Sequence, residues 1–229
     1  MIESSTSGDR NNDIIIVSHP RSGLNWLRYC IEFFSGKKTP GRPMLVETGK
    51  PIVSRTHDVR GNTRNGSHDC WQALCNGLGE PLFKRMILVL RDFRECHLGE
   101  LSPELEYLES YSENIKAYHN FPGDKVLAYY EDIVSDFSVV IRILDFIGIA
   151  HNIQEFDMEF HQKKSVMIYH RRRFSHTRNN LLDFRHHART ASRKTVEEIE
   201  NHVKSMLGKV LCERYLHRYF NHLLSVEKD

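Results

Sequence analysis

The chain has 229 residues and a mass of 26.9 kDa, with 40% hydrophobic and 27% charged residues. Those proportions are globular and exclude wholesale disorder, and the length predicts a single domain over 1–229. Lys and Arg number 32 against 30 Asp and Glu, a net charge of +2, so the chain is no polycation and nucleic acid is not an expected partner.

Residues 1–12 are polar and expected to be flexible. Asp13-Ile14-Ile15-Ile16-Val17-Ser18 is a β-branched run of the kind that forms a strand buried on both faces. His19-Pro20-Arg21-Ser22-Gly23 follows at once, and Leu24 to Phe34 reads as a helix, apolar on most sides and so buried. Further strands are predicted at Pro51 to Thr56, Lys84 to Arg91 and Lys125 to Tyr130. Val134 to Ile147 has apolar residues at helical spacing (Val139, Val140, Ile143, Leu144, Ile147), and Gly148 is placed to end that helix. Thr195 to Leu224 carries an apolar stripe from Val196 to Leu211 and predicts one long amphipathic helix or two. Strands alternating with helices predict an α/β fold around a mainly parallel sheet.

Charge is unevenly spread. Glu95 to Glu159 holds 14 acidic and 3 basic residues and reads as a solvated face; Lys163 to Lys194 holds 10 basic residues and one acid, Asp183. The second block contains Arg171-Arg172-Arg173 and suits an anionic partner or a mobile loop over an anion site. The five cysteines are scattered without a C-x-x-C pair and read as thiols in a reducing compartment. No apolar run approaches the roughly 20 residues of a membrane span, and Met1 to Asp13 lacks a signal-like apolar stretch. A cytoplasmic protein without a membrane partner is expected.

The first strand and helix meet in His19 to Trp26. A helix N-terminus carries open amides and a partial positive charge, Gly23 lets backbone approach an anion, Arg21 adds a fixed cation and Ser22 a hydroxyl. On these residues alone, a phosphate site and an ordinary βα turn are both open readings. The Walker pattern G-x-x-x-x-G-K-[ST] is absent, which speaks against an ordinary ATPase or GTPase. No metal-ligand motif is seen, so no metal is expected.

Four segments in chain order carry a family likeness. IIIVSHPRSGLNWL (Ile14 to Leu27) resembles the 5′-phosphosulfate loop of sulfotransferases that use 3′-phosphoadenosine 5′-phosphosulfate (PAPS), whose core reads P-[KR]-S-G-[ST]-[ST]-W-L. SRTHD (Ser54 to Asp58) is similar to the family's K-T-H segment, and MILVLRDFRE (Met86 to Glu95) to its 3′-phosphate strand. VLAYYEDIVSDFSVVIRILDFIGI (Val126 to Ile149) is similar to its Y-E-D-[LM] strand end and following helix. The likeness covers about residues 13 to 150. It implies a three-layer, P-loop-NTPase-like sulfotransferase fold.

The resemblance also implies roles. Arg21 would neutralise the leaving 5′-phosphate and the sulfuryl oxygens, while Ser22, Gly23, Leu24 and Asn25 present amides to the phosphosulfate. Leu24 and Asn25 replace the family's hydroxyl pair. Trp26 matches a tryptophan that stacks on adenine, with a core tryptophan as the other reading. Arg91 matches the 3′-phosphate arginine, although a Ser expected eight residues on is Gly99 and the usual Pro is Phe93. Arg94 reads as solvated.

His57 matches the catalytic base, with an acidic-block carboxylate as rival, and Arg55 would touch the sulfuryl group. Asp58 reads as exposed, and Glu131 and Asp132 as structural. Tyr130 matches a tyrosine near adenine or is core. The family's C-terminal 3′-phosphate clamp has only Arg171, Arg172 and Arg173 as candidates, and the same strip could hold an anionic acceptor or be merely solvated. Loops Gly36 to Lys50 and Gly61 to Gly79, with the stretch after Gly99, would build the acceptor pocket, whose aromatics include Tyr107 and Tyr111.

The function implied is sulfuryl transfer from PAPS to an acceptor hydroxyl on a carbohydrate, an anionic glycan among them, or on a small alcohol or phenol, leaving PAP. The alternatives are a nucleotide-dependent phosphotransferase of P-loop architecture and a non-catalytic module that binds PAP or a polyanion.

Overall fold

The computed structural model describes residues 13–61, 72–99, 104–154, 156–169 and 192–220. Four strands, β1 (Ile14–Ser18), β2 (Ser54–Thr56), β3 (Arg85–Leu90) and β4 (Asp124–Tyr129), form one all-parallel sheet in the order β2-β1-β3-β4. Ile15, Ile16 and Val17 of β1 pair with Ser54, Arg55 and Thr56 of β2, and β1 pairs along its whole length with β3. The predicted second strand is thus shorter than Pro51 to Thr56.

Helices cover both faces. Ile14 and Ile16 of β1, with Ile87 and Val89 of β3, face a core that includes α1 (Leu24–Ser35), α5 (Phe137–Ile147) and the end of α6 (Met158–Tyr169). Ile15 and Val17, with Met86, Leu88 and Leu90, face a second core. That core is built from α2 (Phe93–Leu98), a 3-10 turn (Leu105–Leu108), α3 (Glu109–Asn120) and α7 (Arg193–Phe220). Burial on both faces is why these strands read as unbroken apolar runs rather than alternating ones.

The single helix predicted from Val134 is two, α4 (Tyr130–Ser135) and α5. Asp136 between them is extended, and its carboxylate accepts the Ser138 amide, so one residue ends the first helix and caps the second. Gly148 does end α5, at φ 86°. α7 begins at Arg193 and is broken by Gly208, whose φ of 72° and ψ of 166° are not helical. α2, α3 and α6 were not predicted. The buried face of α3 includes Ser112 and Asn114, and α6 buries His161 and Ser165 while exposing Phe160 and Met167. Apolar periodicity is therefore weak in both. Lys163 and Lys164 of the basic block lie in α6, and Arg193 and Lys194 open α7, so both ends of that block are helical.

A charged pair lies inside α1, which the sequence marks as an apolar helix. Arg28 and Glu32 are each 1% exposed. Arg28 donates from Nε to Thr39 Oγ1 at 2.9 Å and from Nη2 to the carbonyls of Gly41 and Pro43. Glu32 accepts the Thr39 hydroxyl and amide, the amides of Leu45 and Val46, and the Tyr169 hydroxyl. The pair thereby straps residues 37–46 and the end of α6 to α1. Removing one member of such a pair leaves the other charged and buried. Glu32→Ala is expected to lower unfolding free energy by about 3–5 kcal/mol, read by urea denaturation; a loss under 1 kcal/mol would mean that the pair behaves as a surface one.

Candidate functional site

In parallel sheets ligands gather beyond the carboxyl ends of the strands, at the point where chain connections leave in opposite directions. Here β1 is followed by β2 on one side and has β3 on the other, so that point lies between the ends of β1 and β3. His57, Arg91 and Tyr130 follow directly on β2, β3 and β4, and Arg21 lies three residues past the end of β1.

The turn after β1 is held open by its own backbone. The Ser22 amide donates to the His19 carbonyl at 3.1 Å, so it is committed within the turn and is not presented outward as the motif implies. The Ser22 side chain is buried, 3.8 Å from Cys96 Sγ. Arg21 (φ 67°) and Gly23 (φ 73°) are left-handed. Leu24 and Asn25 are the first residues of α1, so their amides have no intrahelical acceptor. The Leu24 side chain enters the core, and Asn25 Oδ1 accepts from Arg28 Nη1 at 3.4 Å.

Tyr130 explains Gly23. A Cβ on Gly23 would stand 2.1 Å from Tyr130 Cε2, so the ring occupies the space a side chain would need. Another neighbour of that ring is Arg91, whose Cζ lies 4.7 Å from its centroid.

His57 sits one strand over. Its Nδ1 is 2.7 Å from the Ser18 carbonyl, which can only accept, so Nδ1 carries the proton and Nε2 the lone pair. Arg55 Nη2 lies 3.4 Å from that Nε2. Desolvation first, then the Arg55 charge, lowers the His57 pKa to about 3, against the opposing pull of the Ser18 bond. His19, 1% exposed, is likewise lowered to about 3, by burial first and then by His57 and His97. Its Nδ1 is 2.9 Å from Ser110 Oγ.

Several expectations are corrected. Trp26 is 1% exposed, stacks on Tyr29 and donates from Nε1 to the Ile133 carbonyl at 3.1 Å, so it is a core residue with no face open to adenine. Arg94 is not solvated. It is buried and bonded to Asp92, Glu200 and the Tyr219 carbonyl. Asp58 is buried and holds Arg60 rather than facing solvent. Tyr111 lines no pocket: it is fully buried, donating to the Arg91 carbonyl at 2.8 Å. The acidic block is not uniformly solvated, since Glu95 lies within it and pairs with Arg91 at 2.7 Å. Glu131 accepts the Asp92 amide and the Tyr219 hydroxyl, and Asp132 pairs with Arg218. Arg171, Arg172 and Arg173 lie outside the described residues.

Two supporting residues had not been singled out. Asn114 of α3 donates to the His57 carbonyl at 2.9 Å and accepts the Val59 amide, fixing the His57 segment from below. Glu95 is the other, four residues after Arg91 and legible from that spacing. Among the described residues no cluster of His, Cys, Asp and Glu is arranged to hold a metal, and no helix is long and apolar enough to cross a membrane.

Two outcomes are expected. Gly23→Ala costs about 2–4 kcal/mol from the left-handed backbone and the clash with Tyr130. Adding Tyr130→Ala recovers the steric part, so denaturation of the double variant shows less than the sum of the single losses. The unfolded chain returns His19 and His57 to about 6.5, so between pH 6.5 and 3 it takes up protons that the folded chain refuses. Stability is thus full above pH 6.5 and falls as pH drops towards 3, with a shallower fall in His57→Gln; equal slopes would refute the burial of a neutral His57. No family model matches this chain and no curated protein matches it, so the likeness to sulfotransferases rests on the four motifs of its own sequence.

Proposed function

We propose that the chain is a PAPS-dependent sulfotransferase acting on an acceptor hydroxyl. The observation that carries this reading is the turn after β1. Open amides of Leu24 and Asn25 and the cation of Arg21 stand at the switch point of the sheet, beside a histidine whose lone pair is on Nε2.

The chemistry fits those parts. The acceptor oxygen attacks sulfur, the bond from sulfur to the bridging phosphate oxygen breaks, and PAP leaves with that electron pair. Negative charge grows on the departing phosphate and the sulfuryl oxygens, where a helix N-terminus and Arg21 lower its energy. The acceptor proton goes to a base, and His57 Nε2 is the candidate. With its pKa near 3 the His57 imidazole is a weak base before a donor binds. Desolvation is the larger cause and the Arg55 charge the second; an anionic donor beside Arg55 offsets that second part, so PAPS binding itself raises the basicity of His57. Arg55 then links donor and base, and the acceptor is held by chemistry these residues do not specify.

The departures at Leu24, Asn25 and Gly99 favour one second reading, a module that keeps the nucleotide site without turnover. A phosphotransferase would need magnesium, for which the sequence has no Walker Lys-[Ser/Thr] pair.

PAP at 100 times its Kd is expected to raise the melting temperature by about 2–4 °C without magnesium, and ATP to do little. A rise only with ATP and magnesium would replace the reading with the phosphotransferase. In the PAP complex, NMR titration of His57 should show its pKa raised by about one unit or more over the free protein. His57→Asn should keep PAP binding and lose turnover; retained turnover would move the base to a carboxylate.

A further inference from the structure

Arg91 leaves the end of β3 with its guanidinium engaged on three sides. Nε and Nη2 donate to Glu95 Oε2 at 3.0 and 2.7 Å, Nη1 donates to the Arg21 carbonyl at 3.0 Å, and the flat face covers Tyr130. Its own carbonyl accepts the buried Tyr111 hydroxyl. The Glu95 side chain is 7% exposed, so the positive charge is met by an anion already desolvated beside it.

The residue at the far end of this chain of contacts is unusual. Arg21 is the one non-glycine residue with positive φ among the described residues. An L-residue keeps that conformation only where its surroundings hold it. Two contacts bear on it: the Arg91 bond to its carbonyl and the Tyr130 ring packed into the space beside Gly23. A Cβ on Gly99 would be tight against the Glu95 carbonyl at 3.0 Å and in ordinary contact with Arg21 Cγ at 3.4 Å.

We infer that Arg91 is a positioning residue, which with Glu95 and Tyr130 locks Arg21 and the anion-binding turn in shape, rather than a group that takes a nucleotide phosphate in its fork. The inference rests on the sulfotransferase reading only for the choice of nucleotides. A phosphate brought to the Arg91 fork would meet Glu95 at close range, and the like charges repel. Glu95 therefore serves the turn and opposes a phosphate at that edge.

The two roles differ in sign. Adenosine 5′-phosphate and PAP share the 5′-phosphate and differ in the 3′-phosphate. Their binding to the wild type, Arg91→Gln and Glu95→Gln is measured by calorimetry, and hydrogen exchange of residues 19–26 is followed in the same free proteins. Both variants are expected to lose affinity for the two nucleotides by the same factor, about tenfold. Exchange of the turn should quicken in both, while α5 exchanges as before. A loss confined to PAP in Arg91→Gln, with PAP bound more tightly by Glu95→Gln, would overturn the inference and make Arg91 a 3′-phosphate ligand. Unchanged exchange of the turn in Arg91→Gln would overturn it whatever the nucleotides do. A wild type that binds neither nucleotide sinks the sulfotransferase reading, and the exchange result then decides the positioning role alone. Glu95→Gln, which keeps size and shape, carries the test should Arg91→Gln not fold.

Discussion

Parallel strands covered on both faces leave polar side chains few places to go, and in this fold the place is the carboxyl edge of the sheet. Ile14 to Val17 and Met86 to Leu90 are sealed between two helical layers. The next residue along each strand path is polar: Ser18 after Val17, Arg91 after Leu90, His57 after Thr56. Each polar group at that edge must satisfy its neighbours locally, because water reaches it from one side only. The Ser18 carbonyl takes the His57 proton, the Arg21 carbonyl takes Arg91, and the Arg91 carbonyl takes Tyr111. The edge is thus a hydrogen-bonded rim before any ligand arrives, and its shape is set by backbone acceptors more than by side-chain pairs.

Arginine does three different jobs around that rim. Arg28 is a strap, its fork distributed over carbonyls of the loop after α1. Arg94 is a tie between layers, joining Asp92 on the rim to Glu200 and to the Tyr219 carbonyl on α7. Arg91 is a brace under the turn. Each sits beside a carboxylate whose charge it neutralises, which keeps them out of competition for an incoming anion. A count of basic residues around the turn after β1 therefore says little about the field an anion would meet there; what matters is which of them carry a carboxylate partner.

β1 and β3 were legible because burial on both faces writes itself as a continuous apolar run, and the turn because Pro, Ser and Gly stand between β1 and an apolar helix. The proximity of His57 to Ser18 follows from β2 lying next to β1, and the motif order anticipated it without giving the tautomer. Arg94 differs from its solvated reading because, besides the local Asp92, it meets Glu200 and the Tyr219 carbonyl more than 100 residues away, beyond any local pattern. Trp26 stands between two readings because the resemblance assigns it to adenine while the apolar helix around it predicts burial; the structure buries Trp26 through Glu32 without a break. α3 and α6 escaped because their buried faces use Asn114, Ser112, His161 and Ser165, residues that a hydrophobic period does not score.

The break at Gly208 has a bearing on how the molecule would come apart. It divides α7 into a segment carrying Ile199, Glu200 and Val203 and another carrying Tyr215, Arg218 and Tyr219. Arg94 grips both, through Glu200 on one side and the Tyr219 carbonyl on the other. The second segment also receives the Tyr129 hydroxyl on its Tyr215 carbonyl and gives Tyr219 to Glu131 and Arg218 to Asp132. A helix pinned at so many points to the ends of β3 and β4 does not fray as an independent tail. Cleavage at the kink would release the roof over Phe93 and Tyr111 and wet the ground on which the rim stands, so a protease nick there would register at the carboxyl edge of the sheet before it registered in α1 and α5 on the other face.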